Sequence, residues 1–459
     1  MPHADKPSEE LAALEKQLDA RDMAQRLRAL RELKRLADRG AVAVEAPRPW
    51  VNMHCHSFYS YNAHGYSPSH VAWEMYRRGV SVAAVIDFDV LDAVEEVLAA
   101  SDALLYRFCA GVESRVYVEE FRNVVINSPD EPGIAYYCGQ GFVGRPAPGS
   151  DGERVLATMV QRAAERNRAM VARINAYLGD VQVDYDKEVI SLSAAGNATE
   201  RHILEAYERK ALEVFPDRAR RALFWAARLK VGHEEMERLI GDSIRLRNMM
   251  RTKLMKYGGP GYAPPEPALF PRLEEMVAMI RSCGAMPMYA WLDGTNPGEE
   301  DTELVVDFAV QAGAVGINLI PDRNFNIRNG AEKERKVRKL EELMRHVTAR
   351  GLVLNVGTEM NSPAQPLVDH LDAPELRPHV SAFLEGAQIV WGHSLLLRHG
   401  GFGYLSPQAQ AAFGSDVGKK NAFFRDVGSR PVPHGAQLAR LRAASKAGDV
   451  RGVLNALLG

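Results

Sequence analysis

Two histidines two residues apart, His54 and His56, end a short apolar run that begins at Val51. On a β-strand, side chains at i and i+2 point to the same face, so the two imidazoles are expected to lie side by side at the end of the strand. Neutral imidazole is a ligand for zinc, manganese and iron. The pair therefore indicates the start of a divalent metal site, although two histidines on a half-exposed strand would show the same spacing.

Short apolar runs that alternate with helical patterns favour a parallel α/β architecture. In a (β/α) barrel, the carboxyl ends of the strands meet at one face and carry the active site. An open doubly wound sheet is the alternative, and we rank it lower because no glycine-rich phosphate motif follows the first strand. Strands are predicted at residues 51–56, 82–87, 107–113, 123–127, 285–293, 314–322, 352–359 and 387–393. Polar residues at their ends are His54, His56, Asp87, Asp89, Glu113, Asp293, Asp322, Glu359 and His393.

The chain divides into five segments by pattern. The first is a Leu-rich helical arm with a break near residues 19–22, and the third is a helical insertion that is a candidate lid. Within the insertion, a strand is predicted at 188–192 and one long helix at 233–256. The segments are the arm (1–45), the first half of the barrel (50–149), the insertion (150–265), the second half of the barrel (266–404) and a C-terminal helical segment (405–459).

The composition limits the class of partner. Charged residues make up 25% of the chain and the formal net charge is −2, so neither nucleic acid nor a membrane is expected as a partner. The four cysteines lack CxxC spacing, which suits a reducing cytoplasm. No signal-peptide pattern and no apolar run near the roughly 20 residues of a membrane span is found. We expect a cytoplasmic protein whose helical arm packs either on the body of the protein or on a neighbouring subunit, the second of which would form a homodimer.

Several motifs resemble those of the PHP (polymerase and histidinol phosphatase) domain in order and spacing. The resemblance implies a distorted (β/α)7–8 TIM-like barrel that binds divalent metals and hydrolyses phosphoesters. The resemblance is good over about residues 51–127 and looser elsewhere. The motifs are His54-Cys55-His56-Ser57, Val85-Ile86-Asp87-Phe88-Asp89, Ala110-Gly111-Val112-Glu113 and the closing Gly357-Thr358-Glu359-Met360-Asn361.

The resemblance also implies roles for particular residues. Arg201 and His202 match a segment of the insertion that grips the substrate phosphate in some members. The implied metal ligands are His54, His56, Glu113 and Glu359, with one of His64, Asp87 or Asp293 as a further candidate.

The motifs depart from the family at three positions. Phe88 and Asn361 stand where the family has metal-binding histidines, and Cys138 lies near a usual His-Gly pair. Phenylalanine cannot coordinate a metal, and an amide oxygen is a weak ligand. We therefore expect one or two ions of zinc, manganese or iron rather than three.

The expected reaction is hydrolysis of a small phosphorylated metabolite by metal-activated water. The expected roles are water activation by Glu359 or Asp87, protonation of the leaving oxygen by His202 or His64, and anion binding by Arg201 and Arg323. Two alternatives stay open. An amidohydrolase-like metal hydrolase also begins with His-x-His, and a non-catalytic barrel that binds a metabolite or partner would explain Phe88 and Asn361.

Overall fold

The computed structural model describes residues 6–458, with side chains from Glu9 onward. Residues 1–5 and Gly459, the outermost parts of the predicted arm and C-terminal segment, lie outside the described residues. Seven strands form one sheet in the order β1 to β7. They are β1 (Arg48–Cys55), β2 (Val80–Phe88), β3 (Phe108–Tyr117), β4 (Ile134–Gln140), β5 (Met286–Trp291), β6 (Gly316–Leu319) and β7 (Val353–Val356).

The helices fall into the arm, the barrel, the insertion and the C-terminal segment. The arm contains α1 (Lys6–Gln17) and α2 (Met23–Asp38), and the first half of the barrel contains α3 (Pro68–Arg77) and α4 (Val94–Leu104). The insertion contains α5 (Asp151–Leu178), α6 (Glu200–Val214), α7 (Arg218–Leu229), α8 (His233–Leu239) and α9 (Ser243–Met250). The second half and the C-terminal segment contain α10 (Leu273–Ser282), α11 (Thr302–Gln311), α12 (Asp322–Phe325), α13 (Gly330–Arg350), α14 (Val380–Gly400), α15 (Pro407–Phe413), α16 (Val417–Ser429), α17 (Gly435–Ala447) and α18 (Val450–Ala456).

The sheet closes into a distorted barrel, as predicted. Neighbouring strands are parallel except at β4, which runs antiparallel to both β3 and β5. Just beyond β7, Glu359 pairs in parallel with Cys55 of β1. The amide of Glu359 donates to the His54 carbonyl (2.8 Å), and the amide of His56 donates to the Glu359 carbonyl (2.9 Å). Gly357 permits this approach, because a Cβ at that position would collide with the His54 backbone.

Two predicted strands of the barrel are wrong. The fourth strand is Ile134–Gln140 rather than residues 123–127, whose Asn127 joins the sheet only through its side chain, accepting from the Tyr136 amide (2.7 Å). Residues 387–393 lie within α14, which packs against β7 and β1. This helix is buried on nearly every side, so its apolar residues show no helical periodicity, and a short buried helical run cannot then be told from a buried strand.

The insertion also differs from the prediction in two places. The predicted strand at 188–192 is a π-helical turn, Tyr185–Val189, followed by a 3-10 turn. The predicted helix at 233–256 is α8, α9 and a π-helical turn, Arg251–Met255. The sequence contains a local reason for the interruption, since Asp242 caps α9 by accepting from the Arg245 amide (3.1 Å).

The arm is broken between α1 and α2, as predicted, and packs on its own barrel. Leu27, Leu30 and Leu33 of α2 are buried in the barrel core, where α2 contacts α3 and α4. The insertion has a separate apolar core that includes Tyr207 and Trp225. None of the helices within residues 6–458 has the length and apolar character needed to cross a lipid bilayer.

Candidate metal centre and the cavity above it

The histidine pair lies at the carboxyl end of β1, with both imidazoles buried. His54 Nδ1 donates to Oδ1 of Asn318 on β6 (2.7 Å), which leaves its Nε2 with a free lone pair. Neither His54 Nε2 nor His56 Nε2 has a hydrogen-bond partner among the described residues. A buried polar atom without a partner is costly, and imidazole nitrogens in this state are what a metal-binding pair presents.

A carboxylate and a thiol face the histidine pair. Glu113 Oε2 lies 3.4 Å from His54 Nε2 and 3.7 Å from His56 Nε2. Cys138 is placed beside them because it pairs with Glu113 in the β3–β4 ladder. One ligand atom each from His54, Glu113 and Cys138 lies within 4.8 Å of the others. Nitrogen, oxygen and sulfur donors at this separation suit a zinc or iron ion, so the residues present fit a divalent metal.

Phe88 occupies the flank of the pair. Its ring stacks on His56, with centroids 4.4 Å apart and planes at 19°. The contact fixes the imidazole without adding a donor. Among the described side chains, His54, Glu113 and Cys138 are the one group of three His, Cys, Asp or Glu residues whose ligand atoms all lie within 4.8 Å of one another, and this supports a single ion.

Asp87 holds the chain that follows β1. Its carboxylate accepts from the Ser57 amide (2.8 Å), the Ser57 hydroxyl (2.7 Å) and the Ser60 hydroxyl (2.6 Å). These bonds anchor residues 57–66, which we call the site loop. Asp87 is fully buried and does not line the cavity, and its carboxylate orients the site loop.

Glu359 lines the cavity, and its carboxylate is already engaged. It forms an ion pair with Arg323 and accepts from Nδ2 of Asn361 (2.8 Å). Burial acts to raise its pKa, but the Arg323 guanidinium outweighs burial and holds that pKa at about 2. Glu359 and Met360 both have left-handed backbones, with φ of 63° and 53°. Such strain in non-glycine residues persists where surrounding contacts enforce it, and here barrel closure does so.

Besides His56 and Asp87, three predicted site residues do not line the cavity. His64 stacks on Tyr66 within the site loop (5.2 Å between centroids). Asp293 forms an ion pair with Lys336 (3.0 Å). His202 accepts from the Thr199 amide (3.0 Å), and burial lowers its pKa to about 4. Such an imidazole is neutral at pH 7 and here accepts a hydrogen bond, whereas the role expected for His202 requires a proton to donate.

A cavity of about 350 Å³ lies above the candidate centre, between the strand ends and the insertion. His54, Phe88, Glu113 and Glu359 belong to its barrel wall. The remaining wall is cationic to an extent that the net charge of the chain does not suggest. The arginines of the cavity are Arg115, Arg166, Arg201, Arg251 and Arg323.

Two of these arginines have no carboxylate within 4 Å among the described residues: Arg166 of α5 and Arg201 of α6. The Nε of Arg166 is buried without an acceptor, and its guanidinium lies over Phe270 (4.3 Å to the ring centroid). Arg201 donates to Oδ1 of Asn248 (2.8 Å). In contrast, Arg251 is paired with Glu200 (2.8 Å). Of the five arginines of the cavity, these two therefore have no ion-pair partner among the described residues, and their charge is available to an anionic ligand.

Sequence reasoning identified part of this set. It found His54, His56, Glu113, Glu359, Arg201 and Arg323, which the structure brings to one end of the barrel. It noted Cys138 only as a departure from a motif, because the error in β4 hid the register that pairs Cys138 with Glu113. Asn318 lay in a predicted strand without a role. Nothing local to α5 distinguishes Arg166 from the other arginines of that helix.

The chain is thus a distorted seven-stranded α/β barrel with a candidate divalent metal centre at the carboxyl ends of its strands. No family model and no curated protein matches it. It is similar to the structure of an amidohydrolase from Chromobacterium violaceum with bound sulfate and no metal, at 18% identity and a TM-score of 0.48, over 73% of this chain and 96% of that one. It is also similar to a candidate metal-dependent phosphoesterase from Bifidobacterium adolescentis, at 15% identity and a TM-score of 0.45, over 74% and 98%. Likenesses at this level carry no argument about function.

Proposed function

We propose that this protein is a metal-dependent hydrolase of phosphate esters, and a divergent barrel of the PHP type. One observation carries the proposal. The buried, unpartnered Nε2 atoms of His54 and His56 lie beside Glu113, and His54 and Glu113 line a cavity whose wall also presents Arg166 and Arg201, which have no carboxylate partner. Ligands for a cation next to donors for an anion form the arrangement that a phosphoryl group needs.

His54, Glu113 and Cys138 would hold the ion, with His56 adjacent to them. A divalent ion in such a site lowers the pKa of bound water and polarises a phosphoryl oxygen. Asn318 fixes the tautomer of His54, so that Nε2 is the coordinating atom. Arg166 and Arg201 bind the non-bridging oxygens of the substrate and offset negative charge that develops during the reaction.

The size of the cavity supports a small metabolite as substrate. A volume of about 350 Å³ lies at the lower end of the range for small-molecule sites. Helices α5 and α6 of the insertion supply Arg166, Asn167 and Arg201 to its wall. The insertion would therefore select the substrate, whereas the strand ends would carry out the reaction.

One observation favours a second candidate. Phe88 stacks on His56, beside the candidate centre, and its side chain has no atom that could coordinate a second ion. The second candidate is therefore a non-catalytic barrel that binds one ion and a phosphorylated ligand. The other features of the cavity are compatible with it.

The test combines metal content with turnover. Purified protein is analysed by elemental mass spectrometry and then assayed on p-nitrophenyl phosphate and a panel of phosphorylated metabolites, after chelation and after return of zinc, manganese or iron. We expect about one ion per chain and phosphatase activity that chelation removes and metal restores. A metal-free native protein that takes up no ion would refute the proposal. Bound metal without turnover of phosphates, amides or lactones would favour the non-catalytic barrel.

A further inference from the structure

The helical arm joins the barrel through a charged pair that is completely buried. Arg26 of α2 donates through Nε and Nη2 to the two carboxylate oxygens of Glu96 on α4 (2.8 and 2.5 Å). The two side chains are 1% and 0% exposed. Glu96 also accepts from the amide and the hydroxyl of Ser69 on α3 (3.1 and 2.7 Å). Burying two charges requires such complete pairing, so this contact fixes one geometry between the arm and the barrel.

The same arginine reaches the site loop. Arg26 Nη2 donates to the Tyr59 hydroxyl (3.1 Å), and the Tyr59 amide donates to the Ser57 hydroxyl (3.2 Å). Ser57 in turn donates to Asp87 (2.7 Å). A continuous set of hydrogen bonds therefore runs from the arm to the residue that follows His56.

The arm also holds the other end of the site loop. Ser67, which follows the loop, donates from its amide to Asp19 (2.7 Å) and from its hydroxyl to the Leu18 carbonyl (2.5 Å). Nδ1 of His70 lies 2.6 Å from the second carboxylate oxygen of Asp19. Leu18 and Asp19 belong to the break between α1 and α2. The break thus leaves the Leu18 carbonyl free to bind Ser67, whereas in a continuous helix this carbonyl would accept from an amide of the same helix.

We propose that the arm is a positioning element of the candidate metal centre and that Arg26 is its positioning residue. By holding the site loop at both ends, the arm fixes Ser57 and Ser60 on Asp87 and thereby the backbone that carries His56. Loss of the Arg26 contact should loosen the loop and weaken metal binding. The expected increase in mobility of the site loop follows from the contacts alone. The expected weakening of metal binding rests on the proposed function.

The test uses the full chain with Arg26→Met and Glu96→Gln combined, which removes both buried charges together and leaves no unpaired one. Hydrogen–deuterium exchange of residues 57–66, the metal dissociation constant and the melting temperature are measured. We expect exchange of the loop to become about 10-fold faster and metal affinity to fall about 10-fold, as for loss of an outer-shell partner, while the melting temperature stays near that of the wild type. Arg35→Gln, which breaks an exposed pair with Glu32 on the same helix, is the matched control and should change neither.

Tyr59→Phe provides a milder version that keeps the buried pair. It removes the hydrogen bond from Arg26 and the longer one from the Tyr59 hydroxyl to Glu96 (3.5 Å), and should raise loop exchange about 5-fold. Wild-type exchange in both variants would overturn the inference, and so would a uniform acceleration over the whole barrel with a fall in melting temperature, because that pattern describes a purely structural contact. If the wild type binds no metal, the proposed function fails while the exchange data still decide the role of the arm.

Discussion

The two halves of the barrel treat the polar groups at their strand ends in opposite ways. In the first half, His54 and His56 leave a ring nitrogen buried without a partner, and among the described residues no Lys or Arg lies within 4 Å of the Glu113 carboxylate. In the second half, Asp293 is paired with Lys336 and Glu359 with Arg323. The difference fits the proposed function, in which the first half would hold the ion, whereas the second half has its carboxylates already paired and shapes the cavity.

The largest predicted effect compares one residue from each half. His54→Ala should remove bound metal and lower kcat/KM for a phosphate ester by roughly 10³-fold, since a metal ion contributes several kcal/mol to the transition state. Asp293→Asn should lower it by less than about 10-fold, because Asp293 does not line the cavity. Steady-state kinetics and elemental analysis measure both. Equal losses in the two variants would contradict the division between the halves.

The next prediction concerns the cationic wall that faces the first half. Arg166→Gln should raise KM for a phosphorylated substrate by roughly 10- to 100-fold with a smaller change in kcat, because a hydrogen bond to a charged group contributes about 1.5–3 kcal/mol. Arg168→Gln on the same helix breaks an exposed pair with Asp186 and serves as the control. Inhibition by inorganic phosphate should weaken in parallel. An unchanged KM in the Arg166 variant would exclude this arginine as a substrate contact.

Cys138 sharpens the comparison within the first half. Cys138→Ser should weaken zinc affinity by at least the roughly 10-fold that loss of an outer-shell partner costs, and shift preference towards manganese, because the soft sulfur donor is lost. Cys109→Ser is the control, since Cys109 is buried like Cys138 but lies on β3 and faces Ser394 of α14. Cobalt-substituted protein gives a second readout. A thiolate-to-cobalt absorption band that persists in the Cys138 variant would show that this sulfur is not a ligand.

The last prediction concerns stability and pH rather than activity. Burial lowers the pKa of His202 to about 4, below its usual value near 6.5, so the unfolded chain binds more protons between these values. The stabilisation is complete above about pH 6.5 and is lost as the pH falls towards 4. His202→Gln keeps an acceptor for the Thr199 amide, and should reduce the loss in unfolding free energy over this range by on the order of 2 kcal/mol in urea titrations. If the unfolding free energies of the wild type and the variant depend on pH in the same way, the pKa of His202 is not lowered by folding.

The sequence allowed prediction of the barrel and of the residues whose spacing along one strand fixes their geometry. His54 and His56 are adjacent because alternate residues of a strand share a face. Cys138 could not be placed, because it lies on β4 and the sequence predicted the fourth strand at residues 123–127 instead. The pairing of Arg323 with Glu359 depends on side chains of two separate elements, and no local pattern reports which carboxylates a fold will neutralise. The contact between Arg26 and Glu96 was missed for the same reason.

Crystals grown with zinc and measured on both sides of its absorption edge would test the central claim most directly. The account predicts one anomalous peak per chain, within coordination distance of His54 Nε2, Glu113 and Cys138 Sγ. A protein without a peak at that position, or with its peak at Glu359 or Asp293 instead, would contradict it.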